Sequence, residues 1–202
     1  MLFRSPVTRT TRNFKGRLVK IDAAKMPNAP DVKLLVDTWQ NRTEAKAGIA
    51  KVIGTTAVKL TKEKLRAALE LIYAEVLGAE FGFQNMGGIR DDIPAGEILV
   101  RHVWNVLPFE NTLVKMRLKG TQVPNFVRKR LGDKFDPEKE YLFATNSYVG
   151  DQQKKYFGTE NVAVEETGVV MRDAVVAWVK EHGGFTKGGV ALERGLDEGE
   201  KR

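Results

Sequence analysis

The chain has 202 residues, of which 29% are charged and none is cysteine, and its formal net charge is +7. This length suffices for a domain with a normal core, and the lack of cysteine excludes disulfides, zinc–thiolate sites and cysteine nucleophiles. No apolar run approaches the roughly 20 residues that span a bilayer, so we expect no transmembrane helix. The basic clusters at residues 4–20 and 128–130 lack the several interleaved aromatics of a single-strand binder, so we interpret them as surface and do not expect a nucleic-acid partner.

The first third of the chain begins with a segment that has no periodicity. Residues 1–13 are predicted to form a flexible basic arm, and the alternation of residues 16–22 predicts a short strand. Apolar residues at helical spacing then predict an amphipathic helix over residues 31–46, with Trp39 facing the core and Gly48 ending the helix.

The middle of the chain alternates between predicted strands and helices. A strand is expected within residues 49–59, followed by a helix with Thr61 as its N-cap and an apolar stripe that runs to Gly78. Residues 113–119 alternate apolar and basic side chains, as in a half-buried strand. A short helix is expected over residues 124–131.

The last third is predicted to hold a strand, a loop and a helix. The strand covers residues 141–145 and the polar loop residues 146–157. Residues 171–181 have a helical pattern that includes Trp178, and the glycines at 183–184 are typical of a helix C-terminus.

This irregular alternation of helices and strands predicts an α+β fold rather than a doubly wound parallel sheet. We expect a single mixed domain over residues 14–190, without an internal boundary. The charged tail, residues 191–202, has the composition of a disordered segment.

Residues 85–109 concentrate side chains that are common in ligand-binding sites. Gly87 and Gly88 allow the backbone to turn sharply and to approach another group, because glycine has no Cβ and tolerates positive φ. Arg90 follows with a planar donor group that suits phosphate, carboxylate or hydroxyl groups, and Phe109 offers a ring face. The same residues also fit a plain turn and a strand that enters the core.

Catalytic chemistry is not visible in the sequence. His102 and His182 are the two histidines, and neither has a nucleophile or a paired carboxylate at a recognisable spacing. Asp91 and Asp92 are adjacent in a turn, which is more typical of a solvated surface than of a cation site. The chain is therefore expected to hold no catalytic metal and no cofactor.

Three motifs in a row resemble the C-terminal domain of the 5'-nucleotidase family, which includes ecto-5'-nucleotidase and UDP-sugar hydrolase. They are NMGGIR at residues 85–90, IPAGEI at residues 93–98 and VLPFENTL at residues 106–113. Their order and spacing match the family's N-G-G-G-I-R run, I-P-x-G-x-I turn and V-L-P-F-x-N strand entry. The resemblance extends from about residue 14 to about residue 184 and is strongest between residues 83 and 120.

The resemblance implies roles for individual residues. Asn85 would lie beside a nucleobase, Arg90 would meet the ribose or phosphate region, and Phe109 would stack on the base. Gly87 and Gly88 would shape the loop that carries Asn85.

A second aromatic is implied by a later motif, which matches the family only in part. Residues 146–150, NSYVG, match the first half of the family's N-x-[YF]-L-A-x-G-G-D-G loop and place Tyr148 at the second stacking position. In the second half, residues 151–154 read DQQK, so Lys154 stands where the family has a ribose-binding Asp. The family's upstream Arg and the start of its first helix are also replaced.

In the family, the matching domain binds the substrate and a separate N-terminal metallophosphatase domain holds two divalent metal ions. The resemblance therefore implies that this chain recognises a nucleotide or nucleoside and that hydrolysis requires the metal-bearing domain in cis or trans. The alternative is a non-catalytic binding module with altered or lost nucleotide specificity. Location is not encoded in this chain; a periplasmic or extracellular location is implied if a longer parent carries a signal peptide.

Overall fold

The computed structural model of the protein describes residues 16–22, 25–187 and 190–191. The predicted arm, residues 1–13, and the predicted tail beyond residue 191 lie outside them. The chain divides into two units, Met1–Thr43 and Glu44–Arg202.

In the first unit, the described residues comprise a segment without regular secondary structure and most of helix α1. Residues 16–22 form no strand, so that prediction was wrong, and their apolar side chains, including Leu18, are exposed. Helix α1 covers Pro30–Ala47 and confirms the predicted helix. The expected core position of Trp39 was wrong, because none of the residues of α1 is buried and the ring is 60% exposed.

In the second unit, the described residues form helices around three sheets. Its helices are α2 (Lys62–Leu77), α3 (Val100–Val106), α4 (Asn125–Leu131), α5 (Ser147–Asp151), α6 (Gln153–Phe157) and α7 (Met171–His182). Its strands are β1 (Val52–Thr56), β2 (Phe81–Gly82), β3 (Gly96–Leu99), β4 (Thr112–Lys119), β5 (Glu140–Asn146), β6 (Val164–Val170), β7 (Thr186–Lys187) and β8 (Val190–Ala191).

The central sheet has four strands in the order β2-β5-β4-β6. Strand β4 pairs antiparallel with both β5 and β6, whereas β2 pairs parallel with β5. Strands β1 and β3 form a separate antiparallel pair, as do β7 and β8. The mixture of parallel and antiparallel pairs with helices of irregular order is the α+β architecture that the sequence predicts.

The core of the second unit has two parts, on either face of the central sheet. One part joins α2, α3 and α7 through residues such as Leu69, Val103 and Trp178. The other part contains Met116, Phe143 and further aromatic residues near α4 and α6. Along β4, Met116 and Leu118 are buried in this second part, whereas Arg117 and Lys119 between and after them are exposed, which confirms the half-buried strand.

Helix α2 begins and ends where the sequence predicts, but its N-terminus is capped differently. Thr61 occupies the N-cap position without a side-chain cap bond, and the amide of Lys62 donates instead to Oδ1 of Asp92 over 3.0 Å. At the other end, Gly78 adopts a left-handed conformation with φ of 62°. Glycine enters this region at little steric cost because it has no Cβ, and a left-handed residue cannot continue the helix, so α2 ends there.

The segment predicted as a loop over residues 146–157 contains two short helices, α5 and α6. Strands β3 and β6 and helix α3 are further elements without a predicted counterpart. Short helices depend on tertiary contacts rather than on propensity, so five-residue helices leave little periodic signal. Helix α5 nevertheless has a local cap, because Asn146 Oδ1 accepts from the amide of Val149 over 3.0 Å.

Candidate ligand-binding site

One end of the central sheet gathers the segments that the sequence singles out. Strand β4 begins beside the end of β5, where Leu113 pairs with Asn146. The amide of Thr112 donates to Oγ of Ser147 over 3.3 Å, which ties the entry of β4 to the start of α5. The loop that carries Phe109 and the helix that carries Tyr148 therefore leave the sheet at the same end.

The segment before Asn85 runs to this end along β5. The amide of Phe83 donates to the carbonyl of Ala144 over 2.9 Å, and Thr145 Oγ1 donates to the carbonyl of Phe83 over 2.8 Å. Two residues later, Oδ1 of Asn85 accepts from Nδ2 of Asn146 over 3.1 Å. Parallel pairing of β2 with β5 thus brings Asn85 to the segment that carries Tyr148.

Arg90 connects the glycine turn to Phe109. Its amide donates to the carbonyl of Val106 over 2.9 Å, and its Nη1 donates to the carbonyl of Gly87 over 3.1 Å. The guanidinium carbon lies 5.7 Å from the centroid of the Phe109 ring, within cation–π distance. The structure therefore unites two of the predicted site residues into one surface.

Phe109 and Tyr148 both keep a large part of their rings in solvent. Phe109 is 42% exposed and Tyr148 is 43% exposed, whereas Phe143 of the adjacent strand is fully buried. Tyr148 also contacts Tyr156 edge-on, with 6.3 Å between ring centroids. Rings that stay half exposed beside a polar group can accept a flat ligand without disturbing the core.

The glycine pair forms a 3-10 turn at Met86–Gly88. Neither glycine has a positive φ, so that part of the sequence-based explanation was wrong. Gly88 is required for close approach instead: a Cβ there would lie 2.4 Å from Nε2 of Gln84 and 3.0 Å from Oδ1 of Asn85. A Cβ at Gly87 would meet nothing closer than 3.8 Å.

A buried polar network supports Asn85, and its members were not among the predicted site residues. Gln84 is fully buried, and its Oε1 accepts from the hydroxyl of Tyr73 over 2.9 Å and from Nδ2 of Asn146 over 3.2 Å. Glu70 accepts from the amide of Gln84 over 3.1 Å. Burial raises the pKa of Tyr73 well above its usual value, and the charge of Glu70 adds to this effect.

A sequence signal for this network exists in the run FGFQN at residues 81–85, where two amides directly follow a buried aromatic strand. Buried amides need partners for all their polar atoms, so such a pair predicts further buried polar groups nearby. Periodicity cannot identify those partners, because Tyr73 and Asn146 lie on distant segments.

The loop that departs from the family pattern has its own bonding. Gln153 donates from Nε2 to the carbonyl of Val162 over 2.8 Å and accepts the Val162 amide over 2.9 Å. Lys154 pairs with Glu160 over 2.9 Å in solvent. Residues 151–155, Glu160 and Asn161 line an open depression of about 540 Å³, which does not include Arg90 or Phe109.

Two ionisable residues that follow Arg90 in the sequence, Asp92 and His102, make hydrogen bonds at the starts of helices α2 and α3. Asp92 forms a 2.8 Å ion pair with Lys59, and the hydrogen bond from Lys59 is the main reason why the pKa of Asp92 is lowered. His102 accepts the amide of Leu99 at Nδ1 over 3.2 Å, at the start of α3. Burial, with the charge of Arg101 beside it, lowers the pKa of His102.

Within the part of the chain that the structure describes, no group of three or more His, Asp or Glu side chains is placed to hold a metal ion. Likewise, no helix among the described residues is long and apolar enough to cross a membrane. The side chains that the structure brings together here are the aromatic rings of Phe109 and Tyr148, the amide of Asn85 and the guanidinium of Arg90.

The fold and this group of residues define an α+β domain with aromatic, amide and guanidinium groups at one end of its central sheet. Residues 49–131 match the family model described as 5'-nucleotidase, C-terminal domain. The resemblance to a C-terminal domain of the 5'-nucleotidase family, which the three sequence motifs indicate, is confirmed for this part of the chain.

Curated relatives are much longer than this chain. Protein UshA of Yersinia enterocolitica is 33% identical over 108 residues, which cover 54% of this chain and 19% of that protein. Endonuclease YhcR of Bacillus subtilis is 24% identical over 165 residues, which cover 73% of this chain and 13% of that protein. The chain thus spans less than a quarter of the length of either relative.

Solved structures share the fold at low sequence identity. The 5'-nucleotidase precursor from Thermus thermophilus has a TM-score of 0.62 at 18% identity, covering 80% of this chain and 42% of that one. The NAD nucleotidase from Haemophilus influenzae has a TM-score of 0.52 at 17% identity, covering 81% of this chain and 41% of that one. Both confirm the fold class.

Proposed function

We propose that this domain binds a nucleotide or nucleoside and supplies the substrate-recognition part of a 5'-nucleotidase-type phosphoesterase. Membership of the family supports a role in nucleotide chemistry. The structural observation that carries the proposal is the placement of the Arg90 guanidinium over the Phe109 ring at the sheet end to which Asn85 and α5 also belong.

In this proposal the nucleobase stacks on Phe109, with Tyr148 as the second ring. Both rings are half exposed, so a base can cover them without displacing core residues. Stacking on one aromatic side chain is worth about 1 to 3 kcal/mol. Arg90 retains donors beyond its bond to Gly87 for the ribose or phosphate oxygens.

Hydrolysis is assigned to a partner domain that holds two divalent metal ions, joined to this domain in cis or trans. The described residues contain no cluster that fits a metal pair, so no catalytic step is assigned to them. Two-metal sites position the attacking water and stabilise developing charge, which is the chemistry that such a partner would supply. The role of this domain is then to bind and orient the substrate.

The alternative is a non-catalytic module in which the same fold binds a different ligand. The loop at residues 151–154 favours it, because Gln153 is bonded to Val162 and the lysine at the expected aspartate position pairs with Glu160. A cation in place of a carboxylate no longer accepts hydrogen bonds from ribose hydroxyls.

Isothermal titration calorimetry of the chain with AMP, adenosine and a UDP-sugar tests the proposal. We expect saturable binding of at least one of the three ligands. If none of the three ligands gives a saturable binding isotherm, and a cooperative thermal transition shows that the protein is folded, nucleotide recognition is rejected. Phosphate release from AMP by the purified chain with Mn²⁺ would instead reject the assignment of hydrolysis to a partner domain.

A further inference from the structure

The side chain of Asn85 is held in one orientation by two buried amides. Asn85 itself is only 6% exposed, and both Gln84 and Asn146 are at most 1% exposed. An amide side chain has one end that accepts and one that donates, so its orientation decides what it offers to a ligand. The partners of the three amides determine that orientation.

Gln84 is oriented by a group that can only accept. Its terminal nitrogen lies 2.9 Å from the main-chain carbonyl oxygen of Asn85, and a carbonyl oxygen never donates. The atom at that position must therefore be Nε2. The same Nε2 lies 3.3 Å from the side-chain oxygen of Asn85, so it presents a donor there as well.

Asn146 is oriented by a group that can only donate. The main-chain N–H of Val149 lies 3.0 Å from its side chain, so the atom that receives it must be Oδ1. The Nδ2 of Asn146 then points the other way and donates to Gln84 Oε1 and Asn85 Oδ1. Asn85 thus meets a donor from each of the two amides.

Two donors directed at one atom of Asn85 require that this atom be Oδ1. Its Nδ2 is left on the other side, towards Gly87, whose Cβ position would lie 3.8 Å away. Among the residues that the structure describes, no acceptor takes up this Nδ2. The site consequently presents an N–H donor, and not an acceptor, at this point.

We infer that Gln84 and Asn146 are positioning residues that make Asn85 a donor-only specificity residue, so that the bound ring must offer a hydrogen-bond acceptor to Asn85. This inference rests on the proposed function. For adenosine, the ring edge that faces Asn85 carries an unprotonated ring nitrogen rather than the exocyclic amine. A ring that places a donor there leaves two donors opposed and is disfavoured.

Asn146→Asp tests the positioning role without changing Asn85. The carboxylate keeps an oxygen for the Val149 amide, so the cap of α5 is retained, but it turns an acceptor towards Asn85 Oδ1. At about pH 8 we expect adenosine affinity to fall about tenfold or more, and at about pH 5.5 to recover in part, since a protonated buried carboxyl donates again. Calorimetry at both pH values gives the result.

Gln122→Glu is the matched control for the charge change. Gln122 accepts the amide of Lys119 and bonds Thr159, beyond the opposite end of β4, and either bond can persist with a carboxylate. Adenosine affinity of this variant is expected to equal that of the unchanged protein at both pH values. Thermal melts followed by circular dichroism verify that each variant is folded.

Asn85→Asp is the second variant and decides the question if Asn146→Asp does not fold. Its inner oxygen still accepts from Gln84 and Asn146, so its proton resides on the outer oxygen and donates to the ligand only at low pH. We expect the same loss at about pH 8 and recovery at about pH 5.5. A purely structural role for Asn85 would not restore affinity on acidification.

The outcomes separate this inference from the proposed function. Adenosine binding that is equal in the unchanged protein and in folded Asn146→Asp or Asn85→Asp at about pH 8 overturns the positioning inference alone. A loss of adenosine affinity that does not recover at about pH 5.5 also overturns it, because restoring a hydrogen-bond donor by protonation would then have no effect. Failure of the unchanged protein to bind adenosine, AMP or the UDP-sugar overturns both.

Discussion

The guanidinium of Arg90 lies 5.7 Å from the ring centroid of Phe109, with one of its nitrogens bonded to the carbonyl of Gly87. The contact joins the glycine turn to the loop before β4, two motifs that are separate in the sequence. The cation–π contact and the hydrogen bond both act on the guanidinium, so together they restrict its orientation beside the ring.

Phe109→Ala is expected to weaken the binding of AMP or adenosine by about 1 to 3 kcal/mol, because a stacking face is lost. The ring is 42% exposed, so its removal leaves the core intact and the melting temperature nearly unchanged. Calorimetry measures the ligand affinity, and thermal melts measure the melting temperature. Trp39→Ala removes another exposed ring, in α1, and is the control that should leave affinity unchanged; equal losses in both variants would contradict the assignment.

Gly88→Ala is expected to destabilise the domain by about 1 to 3 kcal/mol, because the new Cβ overlaps a well-packed polar network. It would lie 2.4 Å from Nε2 of Gln84, and Gln84 is fully buried and cannot move aside freely. Gly87→Ala is the matched control, since its Cβ has no neighbour within 3.8 Å. Denaturant unfolding of both variants measures the difference, and equal stability would show that Gln84 can repack.

Asp92→Ala is expected to lower the melting temperature, because it removes the acceptor for the Lys62 amide at the start of α2 and the partner of Lys59. Asp91→Ala is the control, since Oδ1 of Asp91 bonds only the neighbouring Asp92 amide among the described contacts. If Asp91→Ala lowered the melting temperature more than Asp92→Ala, Asp92 would not be the residue that caps α2.

The contribution of Asp92 to the stability of the fold is also expected to change with pH. Its pKa is lowered in the folded state, so its contribution is present above the unfolded carboxyl pKa and is lost as the pH falls through the folded value. The melting-temperature difference between the unchanged protein and Asp92→Ala should therefore shrink in acid, and should also shrink at high salt because the pair is exposed. A melting-temperature difference that stays constant with pH would show that the charge of Asp92 does not cause the stabilisation.

His102 should reduce stability on mild acidification. Its pKa is lowered by burial, so the unfolded chain takes up a proton first as the pH falls. Stability is therefore full above the ordinary histidine pKa of about 6.5, and it decreases as the pH drops from there towards the lowered pKa of the folded state. His102→Gln keeps an acceptor for the Leu99 amide but does not titrate. Between about pH 7.5 and about pH 5, the melting temperature of the unchanged protein should decrease more steeply than that of His102→Gln. An equal decrease in both proteins would contradict the role of this histidine.

Regular elements with a strong apolar period could be predicted from the sequence. The stripe of α2 from Leu65 to Tyr73 and the alternation of β4 each record one buried face in a single stretch of chain. The same reasoning failed for Trp39, since an apolar stripe shows that a helix has a face to cover but not what covers it. Helix α5 was missed because five residues contain little more than one turn.

The sequence by itself determined the resemblance to the 5'-nucleotidase C-terminal domain, the α+β class and the segments that form the candidate site. These depend on local residue order, namely the motifs around Asn85, Arg90 and Phe109 and the periodicity of the longer elements. Only the tertiary structure decided how those segments meet. The contact of Arg90 with Phe109 and the hydrogen bonds from Asn146 to Gln84 and Asn85 join residues that lie on different elements. Hydrogen-bond geometry and steric exclusion act across space, so no local pattern could encode them.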